Sequence, residues 1–184
     1  MQIPHELIEA VADQTNVPFV GSGVSIDVSG QHFCNWPTLL QKLMERIEDA
    51  GEKAGVRAKL KKGKLLEAAE EAYGLLQARV FREVIIKALG HAEPVGDLQL
   101  PKAIWNLGSQ RVITTNYDRV LEWANPKSLP AVSSDAGNLD EFLNPNARPV
   151  VWHLHGHVNS TDTLVLTKSQ YERLYQAAGE HGER

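Results

Sequence analysis

Apolar positions along the chain alternate between two periods, and each change of period marks the boundary of a predicted element. Leu7, Ile8, Val11 and Ala12 fall at helical spacing and predict a short amphipathic helix from about His5 to Gln14, feeding a strand at Val17–Val20. After a glycine turn, Trp36-Pro37 opens a helix whose Leu39, Leu40, Leu43, Met44 and Ile47 form one stripe, with Gly51 as its predicted stop. From Glu52 to about Leu89 the pattern stays helical but more polar. Leu65, Leu66, Ala69, Tyr73, Leu76, Val80, Val84, Ile85 and Leu89 predict two or three helices there, broken near Gly63 and Gly74.

A Gly/Pro-punctuated loop runs from Gly90 to Pro101, and Lys102 to Gly108 reads as a short helix burying Ile104, Trp105 and Leu107. The β-branched run Arg111–Thr115 reads as a buried parallel strand, followed by a helix bearing Val120, Leu121 and Trp123. Residues 125 to 148 form an irregular excursion with a brief edge strand at Ala131-Val132. Pro149–Leu154 and Leu164–Thr167 read as further strands, and Lys168 to Ala178 as a helix.

Strands alternating with helices define an α/β chain: a Rossmann-like parallel sheet carrying an α-helical insert at about 51–101. About four strands are expected against the six of a full dinucleotide-binding sheet, so residues 1–184 read as one domain, C-terminally incomplete, from the N-terminal part of a longer protein.

The net charge of −4 gives no reason to expect direct nucleic-acid binding. The basic cluster Lys53, Arg57, Lys59, Lys61, Lys62 and Lys64 reads as a solvated helix face. No apolar run approaches the length of a membrane span, and no secretory signal opens the chain, so a cytoplasmic location away from membranes is expected. Without such a signal, Asn159-Ser160-Thr161 reads as a polar turn rather than a glycosylation acceptor.

Three polar clusters follow strands. Gly21-Ser22-Gly23-Val24-Ser25 comes after the first; it is either a tight turn or a phosphate cradle in which Ser22 and Ser25 donate hydroxyls. It lacks the lysine of a nucleoside-triphosphatase loop, which disfavours ATP hydrolysis. Thr114-Thr115-Asn116-Tyr117-Asp118 ends the second, where Asn116 and Asp118 suit helix capping or contact with a ribose, a carboxamide or a water. His153-Leu154-His155-Gly156 ends the third. His153, His155 and His157 would share a face if the strand ran on; Gly156 is expected to stop it, which leaves His155 as the catalytic candidate and no metal site expected. Trp36 and Trp152 read as packing residues, and Cys34, two residues after His32, has no support as a nucleophile.

In this order the clusters resemble the sirtuin family, in particular its divergent bacterial members that consume NAD in anti-phage defence. Gly21–Ser25 is similar to the G-A-G-x-S nucleotide loop with Ser22 in place of alanine, Thr115–Asp118 to the Q-N-x-D stretch, and His155-Gly156 to the catalytic H-G pair. Trp36 with Leu39 and Leu40, and Leu164–Thr167 with Tyr171, resemble the divergent branch.

The resemblance implies NAD as substrate, held by Gly21, Ser22, Gly23, Ser25, Thr115, Asn116 and Asp118, with Asn116 and His155 catalytic. It implies NAD hydrolysis to nicotinamide and ADP-ribose; a non-catalytic NAD or ADP-ribose sensor is the alternative. Cys34 is the single cysteine, so the four-cysteine zinc ribbon of protein-deacylating sirtuins is lacking and lysine deacylation is less expected. A C-terminal sensor or partner domain, or a partner protein, and regulated homo-oligomeric assembly are further expectations.

Overall fold

The computed structural model describes residues 3–28, 33–132, 142–144 and 147–180. His32 and the centre of the expected excursion, at 133–141 and 145–146, lie outside the described residues. The elements in chain order are α1 (His5–Ala12), β1 (Phe19–Val20), α2 (Gly23–Val28), α3 (Trp36–Glu45), α4 (Ala50–Lys61), α5 (Leu65–Leu75) and α6 (Ala78–Leu89). They continue with α7 (Gln99–Trp105), β2 (Arg111–Thr114), α8 (Val120–Ala124), β3 (Leu129–Val132), β4 (Val150–His153) and α9 (Lys168–Glu180). The chain divides into two compact units, Met1–Phe33 with Leu89–Thr163, and Cys34–Ala88 with Leu164–Arg184.

The first unit is built on a four-stranded, all-parallel sheet in the order β1-β2-β4-β3. Register places Val20 beside Thr114 and Thr114 beside His153, so the carboxyl ends of β1, β2 and β4 are side by side. Val112, Leu121 and Val151 form its core, against which Val20, Val24, Ile104 and Trp105 pack. The Trp105 indole N–H donates to the Leu121 carbonyl at 2.9 Å, which satisfies its polar edge within that apolar contact. Leu107, expected to be buried, is 40% exposed because α7 ends at Trp105.

Two strand expectations change. β1 is confined to Phe19-Val20: Pro18 accepts from the Ile113 N–H through its carbonyl but has no N–H to extend the ladder. Leu164–Thr167 is not a strand among the described elements. There the Gln170 side chain accepts from the backbone N–H groups of Leu166 and Thr167, both at 2.9 Å, and so does for this segment what a neighbouring strand would. The helix α1 forms as expected, but Leu7 and Ile8 are half exposed rather than packed.

The second unit is helical. The α3 stripe of Leu39, Leu40, Leu43 and Met44 is buried, as is Ile47 just past the helix end, and α3 begins where the Asn35 carboxamide oxygen caps the Thr38 N–H at 3.0 Å. Gly51 does not stop this helix: α3 ends at Glu45 and Asp49 caps a new helix, α4, that runs through Gly51. Gly63, with φ +70°, separates α4 from α5, whereas Gly74 lies inside α5 and the next break follows at Leu76. Trp36 stacks with Tyr171, centroids 6.2 Å apart, consistent with a packing role. Burial raises the Cys34 thiol above its ordinary value, which disfavours thiolate chemistry.

Glu70 ties α9 to α5 by accepting from the Ser169 N–H and hydroxyl, both at 3.0 Å. The Ser169 N–H bond holds the Glu70 carboxyl below its ordinary value of 4.5. A lowered carboxylate stabilises fully above the unfolded value and loses that contribution as pH falls through the folded one. Glu70→Gln is therefore expected to cost about 1 kcal/mol at pH 7, after allowance for solvent screening. Urea midpoints of the two forms should converge once the pH drops well below 4.5.

Candidate functional site

Three loops leave the adjacent carboxyl ends of β1, β2 and β4, where ligands of open α/β sheets bind. The first turns at Gly21 into α2, with the Val24 N–H bonded to the Gly21 carbonyl at 3.2 Å and the Ile26 N–H to that of Ser22 at 3.0 Å. Neither Gly21 nor Gly23 has a positive φ. Their value is the missing side chain: a Cβ added at Gly23 would meet nothing within 4 Å, so the backbone there faces open space.

The second loop is anchored to the first. Thr114 donates its hydroxyl to the Val20 carbonyl at 3.1 Å and accepts from the Asn116 N–H at 3.0 Å, which sets the turn after β2. The Asn116 carboxamide then donates to the Gly21 carbonyl at 3.1 Å and to the Ser25 hydroxyl oxygen at 2.9 Å. The Ser25 hydroxyl in turn donates a hydrogen bond to the Asp118 carboxylate. Thr115 lies on the same rim, its hydroxyl 3.9 Å from where a Gly21 side chain would begin.

Asp118 also accepts from the Val120 N–H at 3.1 Å, so it takes the bonding expected of a residue at a helix start while Asn116 reaches across to β1. Burial pushes the Asp118 carboxyl above its ordinary value and outweighs those two bonds. Ser25→Ala removes the Asn116 acceptor and the Asp118 donor together. It is expected to cost about 1–3 kcal/mol of stability, measurable as a lower urea midpoint.

The third loop follows β4, which ends at His153, one residue before the expected limit. Gly156, φ +88°, makes the turn after His155 possible. His153, His155 and His157 therefore do not share a strand face. His155 is buried, and burial holds its imidazole below the ordinary value, hence neutral near pH 7.

His153 turns away into the protein: Nδ1 donates to the Asn116 carbonyl and Nε2 meets Glu122 Oε1, both at 2.7 Å. Burial alone would lower His153, but the Glu122 hydrogen bond and charge raise it above its ordinary value. Burial alone would raise Glu122, and the same His153 bond brings it below. The two form a buried hydrogen-bonded pair in which both shifts favour the charged forms.

Of the residues singled out from sequence, Gly21, Ser25, Asn116 and Asp118 form one bonded group, with Thr115 and His155 on the flanking turns. Ser22 lies in the turn just before α2 and Gly23 begins that helix; both are exposed. Glu122 was not singled out. Its signal was a lone acid in the apolar helix Val-Leu-Glu-Trp-Ala, where a carboxylate needs a partner.

Residues 110–183 match the model of the SIR2-like domain family. No curated protein matches the chain. The matched stretch begins just before β2 and includes Asn116, Asp118 and His155; over it the chain is similar to the SIR2-like domain, a family that uses NAD as substrate. Among the described residues, no helix is long and apolar enough to cross a membrane.

Proposed function

We propose that this chain hydrolyses the bond joining nicotinamide to ribose in NAD, releasing nicotinamide and ADP-ribose. The observation that carries this reading is the bonded group at the ends of β1 and β2, in which Asn116 spans from its own loop to Gly21 and Ser25. Nicotinamide is bound as a cationic pyridinium and leaves neutral with the electron pair of the broken C–N bond. No strong acid is needed; the site must position the dinucleotide and tolerate positive charge on the ribose.

In this reading the exposed backbone of Gly21 to Gly23, with the Ser22 hydroxyl, holds the pyrophosphate; buried Ser25, whose hydroxyl is engaged by Asn116 and Asp118, braces those two side chains instead, and Thr115 borders the same rim. Asp118 orients the carboxamide. Asn116 places the ribose or the attacking water, and neutral His155 accepts the proton as water adds to the ribose carbon. Lysine deacylation is disfavoured by the single cysteine, Cys34.

The test is to incubate the full chain with NAD and follow nicotinamide by chromatography. Release above the uncatalysed rate supports hydrolysis; measurable NAD binding with no release, alone or with candidate activators, supports the sensor. We extend the reading to a cytoplasmic role in anti-phage defence. An NAD-consuming enzyme must then be restrained until needed, by a partner domain, a partner protein or assembly with further copies.

A further inference from the structure

We propose that Glu122, His153 and His157 form a binding site for a divalent transition-metal ion of the zinc class, independent of the NAD chemistry. Each offers one ligand atom, and these atoms lie within 4.8 Å of one another. Glu122 Oε1 is 2.7 Å from His153 Nε2 and 3.7 Å from His157 Nε2. Those distances bracket the about 3.4 Å between ligands that a tetrahedral ion with bonds of about 2.1 Å requires. The imidazoles meet nearly edge to face, at 4.7 Å and 74°, so both rings border the same space.

Two buried atoms of the cluster, Glu122 Oε2 and His157 Nε2, have no hydrogen-bond partner among the described residues. Leaving such atoms unsatisfied is costly, and an ion bound by His157 Nε2 and by both oxygens of the Glu122 carboxylate would satisfy them. His153 is already oriented as a metal-binding histidine is: Nδ1–H donates to the Asn116 carbonyl, which directs Nε2 at the site. Glu122 and His157 also line a cavity of about 340 Å³ with Arg119, Trp123 and Asn159, which leaves room for water as a fourth ligand and a route of entry. Two imidazoles and one carboxylate select zinc-like ions over calcium or magnesium.

Binding requires two local changes. The proton between His153 and Glu122 leaves to solvent. His157 must carry its proton on Nδ1, which gives up the 3.2 Å bond it now accepts from the Asn159 N–H; exposed Asn159 can replace that bond with water.

The experiment strips the full chain with chelator and titrates it with Co²⁺ alone, following visible d–d absorption, and then with Zn²⁺, following thermal unfolding. The expected result is about one Co²⁺ per chain with the bands of a low-coordinate N/O site. Zn²⁺ at a hundredfold excess over its Kd should raise Tm by roughly 5–10 °C. In His157→Gln, affinity should drop at least tenfold.

No stoichiometric binding, or equal binding by wild type and His157→Gln, overturns the proposal. Should that variant fail to fold, wild-type histidine NMR decides. Zn²⁺ must then shift the ring signals of His153 and His157 and leave those of His5 and His91 in place; the absence of such shifts, or shifts shared by all four, overturns it.

Discussion

Replacing His155 by alanine is expected to lower nicotinamide release from NAD by about 10²–10⁴-fold, the usual contribution of a positioned general base. NAD binding should change far less, because in the proposed reading His155 handles a proton rather than the pyrophosphate. The turn tolerates the exchange: the positive φ belongs to Gly156, not to position 155. Asn116→Ala should reduce turnover by about 10²–10³-fold, the scale seen when a donor that positions reacting groups is lost. This variant also frees the Gly21 carbonyl and the Ser25 hydroxyl, so NAD affinity should fall along with turnover. Single-turnover kinetics with an independent binding measurement separates the two signatures. Release unchanged in both variants would sink the site assignment.

Replacing Glu122 by alanine is expected to destabilise the fold by about 3–5 kcal/mol, a large part of the 5–15 kcal/mol that holds most domains folded. The cause is the partner left behind. His153 is fully buried; burial lowers its imidazole but Glu122 raises it above the ordinary value, so without the carboxylate it must either carry an uncompensated charge or give up its proton and leave Nε2 without a partner. Replacing both residues by leucine should cost less than Glu122→Ala alone, because no uncompensated charge remains. Urea denaturation of the chelator-treated chain measures both variants. A loss below about 1 kcal/mol in Glu122→Ala would show that the pair is not ionised in the native state.

Much of the architecture was readable because its signals are local. The α3 stripe falls on one helical face, β2 and β4 are runs of β-branched residues, and Gly63 needs the left-handed backbone that it adopts. Misreadings arose where a distant or unusual partner intervened. Leu164–Thr167 has a strand's composition, yet its N–H groups are taken by the Gln170 side chain. Gly51 has a breaker's composition, yet Asp49 had already capped a new helix.

For the site, sequence determined the ingredients: three polar clusters, each just past an apolar strand, with Asn116, Asp118 and His155 among them, and a single cysteine, too few for a four-cysteine zinc ribbon. The tertiary structure alone decided which of them meet. Parallel pairing of β1, β2 and β4 joins Ser25 to Asn116 across 91 residues of chain, and the fold brings Glu122 to His153 across 31. Period and composition act within a few residues, whereas a buried carboxylate or carboxamide is stable only when a partner arrives from elsewhere in the chain. That is why the pairing of Asn116 with Ser25, and the enclosure of His153 and His157 around Glu122, had to wait for the fold.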